Sequence, residues 1–300
     1  GEVNRRWRER LARHLVQRRR ADLRVYMDAD TPFPDRLTTE RHYDLSPEYR
    51  AFLERVLAWC RERVYDPELD ARRQRVQWWS ALALLRAISS SPRAAAATLR
   101  ARTVALDGSS PEEADALGRR AVLDQEEIEL DGADATPGSQ SEEEGDDAGR
   151  RRLLDLAREA ERLEGRADRK ATEVVSLVKA LVAEGNQPIV FCRFLATVEY
   201  LGEVLRKGLG RDVTVECITG ALHPEDRSRR IDAMASAKAR VLVCTDCLSE
   251  GINLQGSFDA VVHYDLAWNP TRHEQREGRV DRFGQSRPVV KAVTYWGKDN

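Results

Sequence analysis

A basic segment near the end of the chain carries side chains that suit phosphate chemistry. Residues 273–285 read HEQREGRVDRFGQ and follow directly on another arginine. On a helix, which advances by about 100° per residue, a face of about 80° holds Arg272, Gln275, Arg279 and Arg282, with Arg276 beside it. Guanidinium groups form paired hydrogen bonds with phosphate oxygens and neutralise charge that develops on a transferring phosphoryl group. The segment therefore favours phosphate binding, although charge alone leaves open a solvent-exposed basic helix without a ligand.

The basic segment follows the fourth of five predicted strands. These short runs are rich in β-branched residues and span 188–194, 214–218, 240–244, 260–264 and 289–295. Amphipathic helical patterns separate several of them, at 198–209, 224–237 and 272–281. Because strands alternate with helices and several strands are apolar on both faces, the sequence predicts an α/β fold with a parallel sheet flanked by helices. Ligands of such sheets lie at the carboxyl ends of the strands, where the basic segment and the polar run 245–255 are both expected.

The first half of the chain is predicted to be mainly helical. A basic helix covers 1–24, and prolines make residues 28–47 an extended connector. Helical spacing then runs through about 47–64, 71–88, 92–105, 151–163 and 170–183. Acidic and small residues dominate about 107–150, which we expect to be a mobile surface insertion. The expected domains are a basic helix and linker (1–45), a helical insertion (46–168) and the parallel-sheet lobe (169–300).

Composition alone narrows the function only a little. The 49 basic and 51 acidic residues give a net charge of −2, so overall charge says nothing about nucleic acid. The chain has no run of about 18 apolar residues, so we expect no membrane span and a cytoplasmic protein. The five cysteines favour a reducing compartment. Cys244 and Cys247 have a metal-like spacing, but no second pair or close histidine completes four ligands, so no metal site is expected.

Four motifs in the second half resemble those of superfamily-two helicases. TDCLSEGINLQ at 245–255 resembles motif five, and QREGRVDRFGQ at 275–285 resembles motif six in the form typical of the Swi/Snf branch. Trp-Asn-Pro at 268–270 is also Swi/Snf-like, and VFCRF at 190–194 resembles motif four. In the first half, YDLSPEYRAFLERVL at 43–57 resembles the passage from the family's first lobe into a helical insertion. The resemblance covers most of the chain outside the acidic stretch, and it leans toward bacterial members that include the RNA polymerase-recycling ATPase.

The resemblance implies a second RecA-like lobe that completes an ATP site held on a first lobe. Arg279 and Arg282 are then arginine fingers directed at the γ-phosphate, and Gln275 orders them or the nucleotide. The implied ATP-binding set is Glu250, Gly251, Asn253, Arg279 and Arg282. The implied DNA-contacting set holds the sugar–phosphate backbone without reading bases and consists of Arg193, Thr245, Asp246 and Trp268. Simpler alternatives stay open: a structural salt bridge for either finger, loop capping for Thr245 and a core position for Trp268.

Half of the expected ATP site is missing from the chain. The sequence has no Gly-x-x-x-x-Gly-Lys-Ser/Thr loop and no Asp-Glu box after an apolar strand. ATP and Mg²⁺ are therefore expected to be held mainly by the first lobe, and the isolated chain is expected to hydrolyse no ATP at a useful rate. The implied function is the C-terminal lobe of an ATP-dependent DNA translocase. Its expected partners are the first lobe, duplex DNA without sequence preference and a protein partner for the acidic insertion. The alternatives are a strand-separating or RNA-directed helicase and a non-catalytic scaffold derived from a helicase.

Overall fold

The computed structural model describes residues 33–65, 71–102, 147–248 and 254–298. The predicted basic helix at 1–24, most of the acidic stretch, and the candidate site residues Glu250, Gly251 and Asn253 lie outside these ranges. Their predicted roles therefore stay predictions. The described residues form an α/β unit built on a parallel sheet.

Six strands make up the sheet, and every neighbouring pair is parallel. In chain order they are β1 (Asp35–Tyr43), β2 (Pro188–Phe191), β3 (Thr214–Ile218), β4 (Arg240–Cys244), β5 (Ala260–His263) and β6 (Val289–Gly297). Their order across the sheet is β1-β6-β5-β2-β4-β3. β2 and β5 are buried along their whole length because helices cover both faces. The predicted fold class is confirmed, and all five predicted strands are present.

β1 corrects the expectation that residues 28–47 are only a connector. Its nine residues pair with β6, from Asp35 opposite Val289 to Tyr43 opposite Gly297. The strand escapes detection in the sequence because its side chains are mostly polar and exposed, as is usual at a sheet edge. Its partner also lies near the other end of the chain. Residues that the sequence assigns to a linker from another lobe therefore belong to this sheet.

Eight α-helices surround the sheet in the described ranges. They are α1 (Pro47–Val64), α2 (Ala71–Ser90), α3 (Pro92–Ala101), α4 (Asp147–Arg162), α5 (Arg169–Ala183), α6 (Leu195–Leu209), α7 (Pro224–Met234) and α8 (Pro270–Glu277). Side-chain caps begin four of them. Ser46, Ser91 and Asp168 each accept a hydrogen bond at 3.1 Å from the backbone N–H three residues later, and Asn269 accepts one at 3.0 Å from the Thr271 N–H at the start of α8. α8 ends four residues before the end of its predicted range, and this difference changes the candidate site.

Two apolar clusters fill the two faces of the sheet. One joins Val190, Val243 and Val262 to α5 and α6, and also to α1, α3 and α4. The other packs α7 and the segment after α8 against Ile189 and Leu242. In the described ranges, helices of the predicted insertion thus share one apolar core with the sheet. The domain division at residue 168 stays a prediction.

The described ranges also bear on membrane and metal binding. None of their helices combines the length and the apolar character that a membrane crossing requires. These ranges hold no group of three or more His, Cys, Asp or Glu side chains placed to bind a metal ion. All five cysteines are free thiols, four of them buried.

Candidate functional site

The loops after β2 and β5 leave the carboxyl edge of the sheet toward opposite faces. After β2 the chain enters α6, which packs on one face through Val198 and Leu201. After β5 it enters α8, and Val280 just beyond that helix packs on the other face. β2 and β5 are neighbours, so their diverging loops open a crevice of the kind in which ligands of open parallel sheets bind. Two residues of the predicted DNA-contacting set, Arg193 and Trp268, lie in these loops.

A buried carboxylate, Asp265, ties the two loops together. Its Oδ2 accepts the backbone N–H of Arg193 at 2.9 Å and the Ser90 hydroxyl at 2.7 Å, and its Oδ1 accepts the Lys170 ammonium at 2.7 Å. Burial by itself lowers the pKa of Lys170, but the Asp265 carboxylate outweighs it and raises that pKa above its ordinary value. The Lys170 ammonium therefore keeps its charge, and its ion pair with Asp265 holds β2, β5, α2 and α5 in one arrangement.

The members of this network are far apart in the chain, so the sequence gives no direct sign that they meet. Lys170 stands 95 residues from Asp265 and 80 residues from Ser90. An acidic residue just after an apolar strand is the available signal, and it does not identify a partner. The network becomes visible only when the helical half is packed against the sheet.

Arg276 is the most buried arginine of the basic segment, with 1% of its surface exposed. Its Nε and Nη2 donate to both carboxylate oxygens of Asp246, at 2.6 and 2.8 Å, and its Nη1 donates to the Asp265 carbonyl at 2.8 Å. This fork joins α8 to the loop after β4 and to the loop after β5. Arg272 is buried as well. The expected single face of ligand-facing arginines is therefore wrong, because part of that face points into the protein.

The predicted fingers lie beyond α8, in a short turn. The helix ends at Glu277 and is capped by Gly278, so Arg279 and Arg282 do not continue its face. In the turn, the Asp281 N–H donates to the Glu277 carbonyl at 2.9 Å. Arg279 is half-buried and Arg282 is exposed. The structure thus brings both predicted fingers into residues 278–282, which we call the arginine turn.

Two glutamines hold the segment that follows the arginine turn. The buried Gln285 amide donates to two backbone carbonyls, each at 3.0 Å. The Gln255 amide donates to the Phe283 carbonyl at 2.8 Å. Gly284, directly before Gln285, has a φ of +85°, which residues with a side chain rarely adopt. The Gly-Gln end of the motif six-like run therefore fixes the backbone after the arginines.

The remaining predicted site residues differ in accessibility. Trp268 is 57% exposed, which rules out a core position beneath α8. Arg193 and Gln275 are half-buried. Thr245 is only 4% exposed, and the Asp246 carboxylate is held by the arginine fork of α8. Of the predicted DNA-contacting set, the residues in the loops after β2 and β5 present surface, whereas the two in the loop after β4 are mostly covered.

A cavity of about 510 Å³ opens at the crevice. Its lining includes Arg193 and Trp268, the aromatic side chains Tyr264 and Tyr295, and Leu85 of α2. A basic group and several aromatic rings therefore share one concave surface at the carboxyl edge of the sheet.

Glu277, the last residue of α8, binds two partners at once. Its Oε1 lies 3.1 Å from His263 Nε2, and its Oε2 accepts Arg36 Nη1 of β1 at 2.6 Å. Burial lowers the pKa of His263 to about 4, against the opposing effect of its hydrogen bond with Glu277. Burial raises the pKa of Glu277, but its hydrogen bond with His263 and the charge of Arg36 outweigh burial and lower that pKa. A neutral imidazole thus donates its Nε2–H to a charged carboxylate.

His263 is expected to make the stability of the protein depend on pH. Its pKa in the folded protein lies below the ordinary value near 6.5, so its contribution is present above that pH and is lost as the pH falls toward 4. The loss amounts to about 3 kcal/mol over this range. His263→Gln keeps a donor for Glu277 but does not titrate. Urea unfolding between pH 7.5 and 4.5 should therefore show a steeper fall for the unsubstituted protein than for the variant. Parallel pH profiles for the two proteins would refute the assignment.

Comparison with known proteins agrees with this geometry. Residues 169–284 match the family model of the helicase conserved C-terminal domain. The chain is 37% identical over 107 residues to the RNA polymerase-associated protein RapA of Proteus mirabilis, covering 36% of this chain and 11% of that protein. It is 32% identical over 114 residues to the ATP-dependent RNA helicase FAL1 of Meyerozyma guilliermondii, covering 38% of this chain and 28% of that protein. The chain thus spans only a small part of the length of these relatives.

A solved structure extends the likeness to the helical half. The Sulfolobus solfataricus SWI2/SNF2 ATPase core in complex with dsDNA superimposes with a TM-score of 0.52 at 18% identity, covering 88% of this chain and 41% of that chain. At this identity the match establishes the fold alone. Residues 169–284 are therefore a helicase conserved C-terminal domain, and they have the α/β RecA-like fold.

Proposed function

We propose that this chain is the C-terminal ATPase lobe of a Swi/Snf-like translocase that moves along duplex DNA. The arginine turn serves ATP held on a first lobe, and the loops after β2 and β5 hold one DNA strand. The observation that carries the proposal is the Arg276 fork, which binds Asp246 and the Asp265 carbonyl from the helix that ends in the arginine turn. One buried side chain therefore joins the helix that leads into the arginine turn with the loop after β4 and with the loop after β5, which is one of the two loops assigned to DNA.

The donor chemistry of the arginine turn fits a triphosphate. ATP supplies the transferable phosphoryl group when it is bound. Arg279 and Arg282 match phosphate oxygens in charge and in the forked geometry of their donors, which an ammonium does not offer. The ligands of Mg²⁺ would come from the first lobe, since the described ranges of this chain hold no cluster of metal-binding side chains. Gln275 is half-buried on α8, and it orders the residues that lead into the arginine turn.

The DNA contact is assigned to the crevice between β2 and β5. Arg193 pairs with a backbone phosphate and the exposed Trp268 packs against the sugar or base beside it, since both line one cavity. Such contacts hold the strand in register without reading its sequence. Thr245 and Asp246 stand behind this surface, where Asp246 passes a shift of the strand to α8 through the Arg276 fork. The relative that is named RNA polymerase-associated and the fold match that was solved with dsDNA support duplex DNA as the substrate.

A strand-separating or RNA-directed helicase is the second candidate. Relatives named ATP-dependent RNA helicase favour it. A non-catalytic scaffold is less well supported, because a protein without ATP hydrolysis has no need for both arginines of the arginine turn.

The experiment compares ATP-driven activities of the full-length protein on matched substrates. We expect the protein to displace the third strand of a DNA triplex while leaving forked DNA and RNA duplexes paired, because a translocase moves without separating strands. A non-hydrolysable ATP analogue controls for passive displacement. Separation of the forked RNA duplex with no triplex displacement would establish the second candidate instead. The isolated chain should hydrolyse no ATP at a useful rate. Robust ATP turnover by this chain would contradict the prediction that it holds only half of the ATP site.

A further inference from the structure

We propose, on the basis of the function proposed for the arginine turn, that Arg36 and Glu277 are positioning residues for that turn. β1 then becomes a working part of the ATP site, although it lies at the sheet edge. Neither residue touches the nucleotide in this proposal. Their role is to hold the direction in which the two arginines leave the turn.

The backbone of Glu277 carries the arginine turn. Its carbonyl accepts the N–H groups of Val280 and Asp281, at 3.1 and 2.9 Å. These two bonds close the turn around Arg279, which stands only two residues after Glu277. Any rotation of Glu277 therefore changes the direction of the turn and of the guanidinium groups that it carries.

The side chain of Glu277 is held from two different strands. Its Oε1 faces His263 at 3.1 Å, and His263 belongs to the fully buried β5. Its Oε2 accepts Arg36 at 2.6 Å, and Arg36 belongs to β1. The same guanidinium lies 4.0 Å from Asp281 at the far side of the turn. With one oxygen bound from each strand, Glu277 is restricted to one orientation.

The exposure of the Arg36–Glu277 ion pair indicates that it orients Glu277 and contributes little to the stability of the fold. The Arg36 side chain is 40% exposed and that of Glu277 is 12% exposed. Ion pairs with a partner in water contribute little to stability, so loss of Arg36 should not unfold the lobe. The effect on rate can be much larger, because a displacement of a catalytic group by about 1 Å lowers a rate by about 100-fold.

The test measures DNA-stimulated ATP hydrolysis by the full-length protein with Arg36→Ala, Arg36→Lys or Glu277→Gln. For Arg36→Ala and Glu277→Gln we expect kcat to fall by about 10- to 100-fold, with the KM for ATP unchanged within about twofold. Arg36→Lys keeps the charge and should recover part of the loss. The double variant with Arg36→Ala and Glu277→Gln should lose little more activity than either single variant, since both substitutions remove the same ion pair. Arg41→Ala is the matched control, because Arg41 is an exposed arginine on the same strand, and it should behave as the unsubstituted protein.

Three results would overturn the positioning role: an unchanged kcat for Arg36→Ala, an equal loss for Arg41→Ala, or a loss of activity that follows a matching fall in Tm. Arg279→Ala, assayed alongside, separates this proposal from the proposed function. If Arg279→Ala is inactive and Arg36→Ala is normal, only the positioning role fails. If Arg279→Ala is fully active, the function assigned to the arginine turn fails.

Discussion

Replacing Arg279 with alanine in the full-length protein is expected to lower kcat for ATP hydrolysis by about 10³-fold or more. The same result is expected for Arg282→Ala. Both side chains belong to the arginine turn, and a guanidinium that neutralises charge on the transferring phosphoryl group stabilises the transition state more than the bound ground state. The KM for ATP should therefore change far less than kcat, and the affinity for DNA should stay the same.

Arg230→Ala provides the matched control for this experiment. Arg230 is an exposed arginine on α7, and it belongs neither to the arginine turn nor to the lining of the cavity. Lysine at position 279 should not rescue hydrolysis, since an ammonium cannot form the forked pair of hydrogen bonds. Steady-state ATPase rates with and without duplex DNA decide the outcome. Full activity of Arg279→Ala would remove the finger assignment and would favour a non-catalytic scaffold.

Replacing Arg276 with methionine is expected to lower the free energy of unfolding by about 3–5 kcal/mol. The guanidinium is 1% exposed and makes three hydrogen bonds, two of them to one carboxylate. Without it, the Asp246 carboxylate and the Asp265 carbonyl lose the hydrogen bonds that Arg276 donates. The Asp246 side chain is 19% exposed, so water compensates in part, and we expect the lower end of the range.

Asp246→Asn completes a double-mutant cycle with Arg276→Met. If the fork acts as one unit, the double variant will be destabilised by less than the sum of the single variants. Urea unfolding of the three variants measures this coupling. Additive effects would instead show that Arg276 stabilises the fold mainly by packing near Phe191, whose ring centre lies 5.4 Å from the guanidinium carbon.

The strands differ in how well the sequence predicts them, and burial is the reason. β2 and β5 are buried throughout, so their side chains are apolar and their pattern is visible locally. β1 is exposed along most of its length and carries polar residues. Its place is set by backbone hydrogen bonds to β6, from Asp35 opposite Val289 to Tyr43 opposite Gly297. Backbone pairing leaves little trace in side-chain composition, and for that reason the segment is mistaken for a connector.

The basic segment shows a different limit. Motif and spacing identify the arginines, but helical periodicity assigns them to one face. Gly278 ends α8 after eight residues, so the arginines on either side of it no longer share one helical face. Arg276 binds the Asp246 carboxylate inside the protein, whereas Arg279 and Arg282 lie in the arginine turn. Sequence periodicity predicts which residues share a face only while the helix continues.

The sequence by itself determines the alternation of buried strands and amphipathic helices, and hence the α/β class. It also determines the order of the motifs that resemble those of superfamily-two helicases. The tertiary structure alone decides which arginines are buried and which charged residues hold them. The reason is distance along the chain: the pairs Arg276–Asp246, Lys170–Asp265 and Arg36–Glu277 are 30, 95 and 241 residues apart. Apolar periodicity is a local property of the chain, whereas the partner of a buried charge is set by which elements pack together.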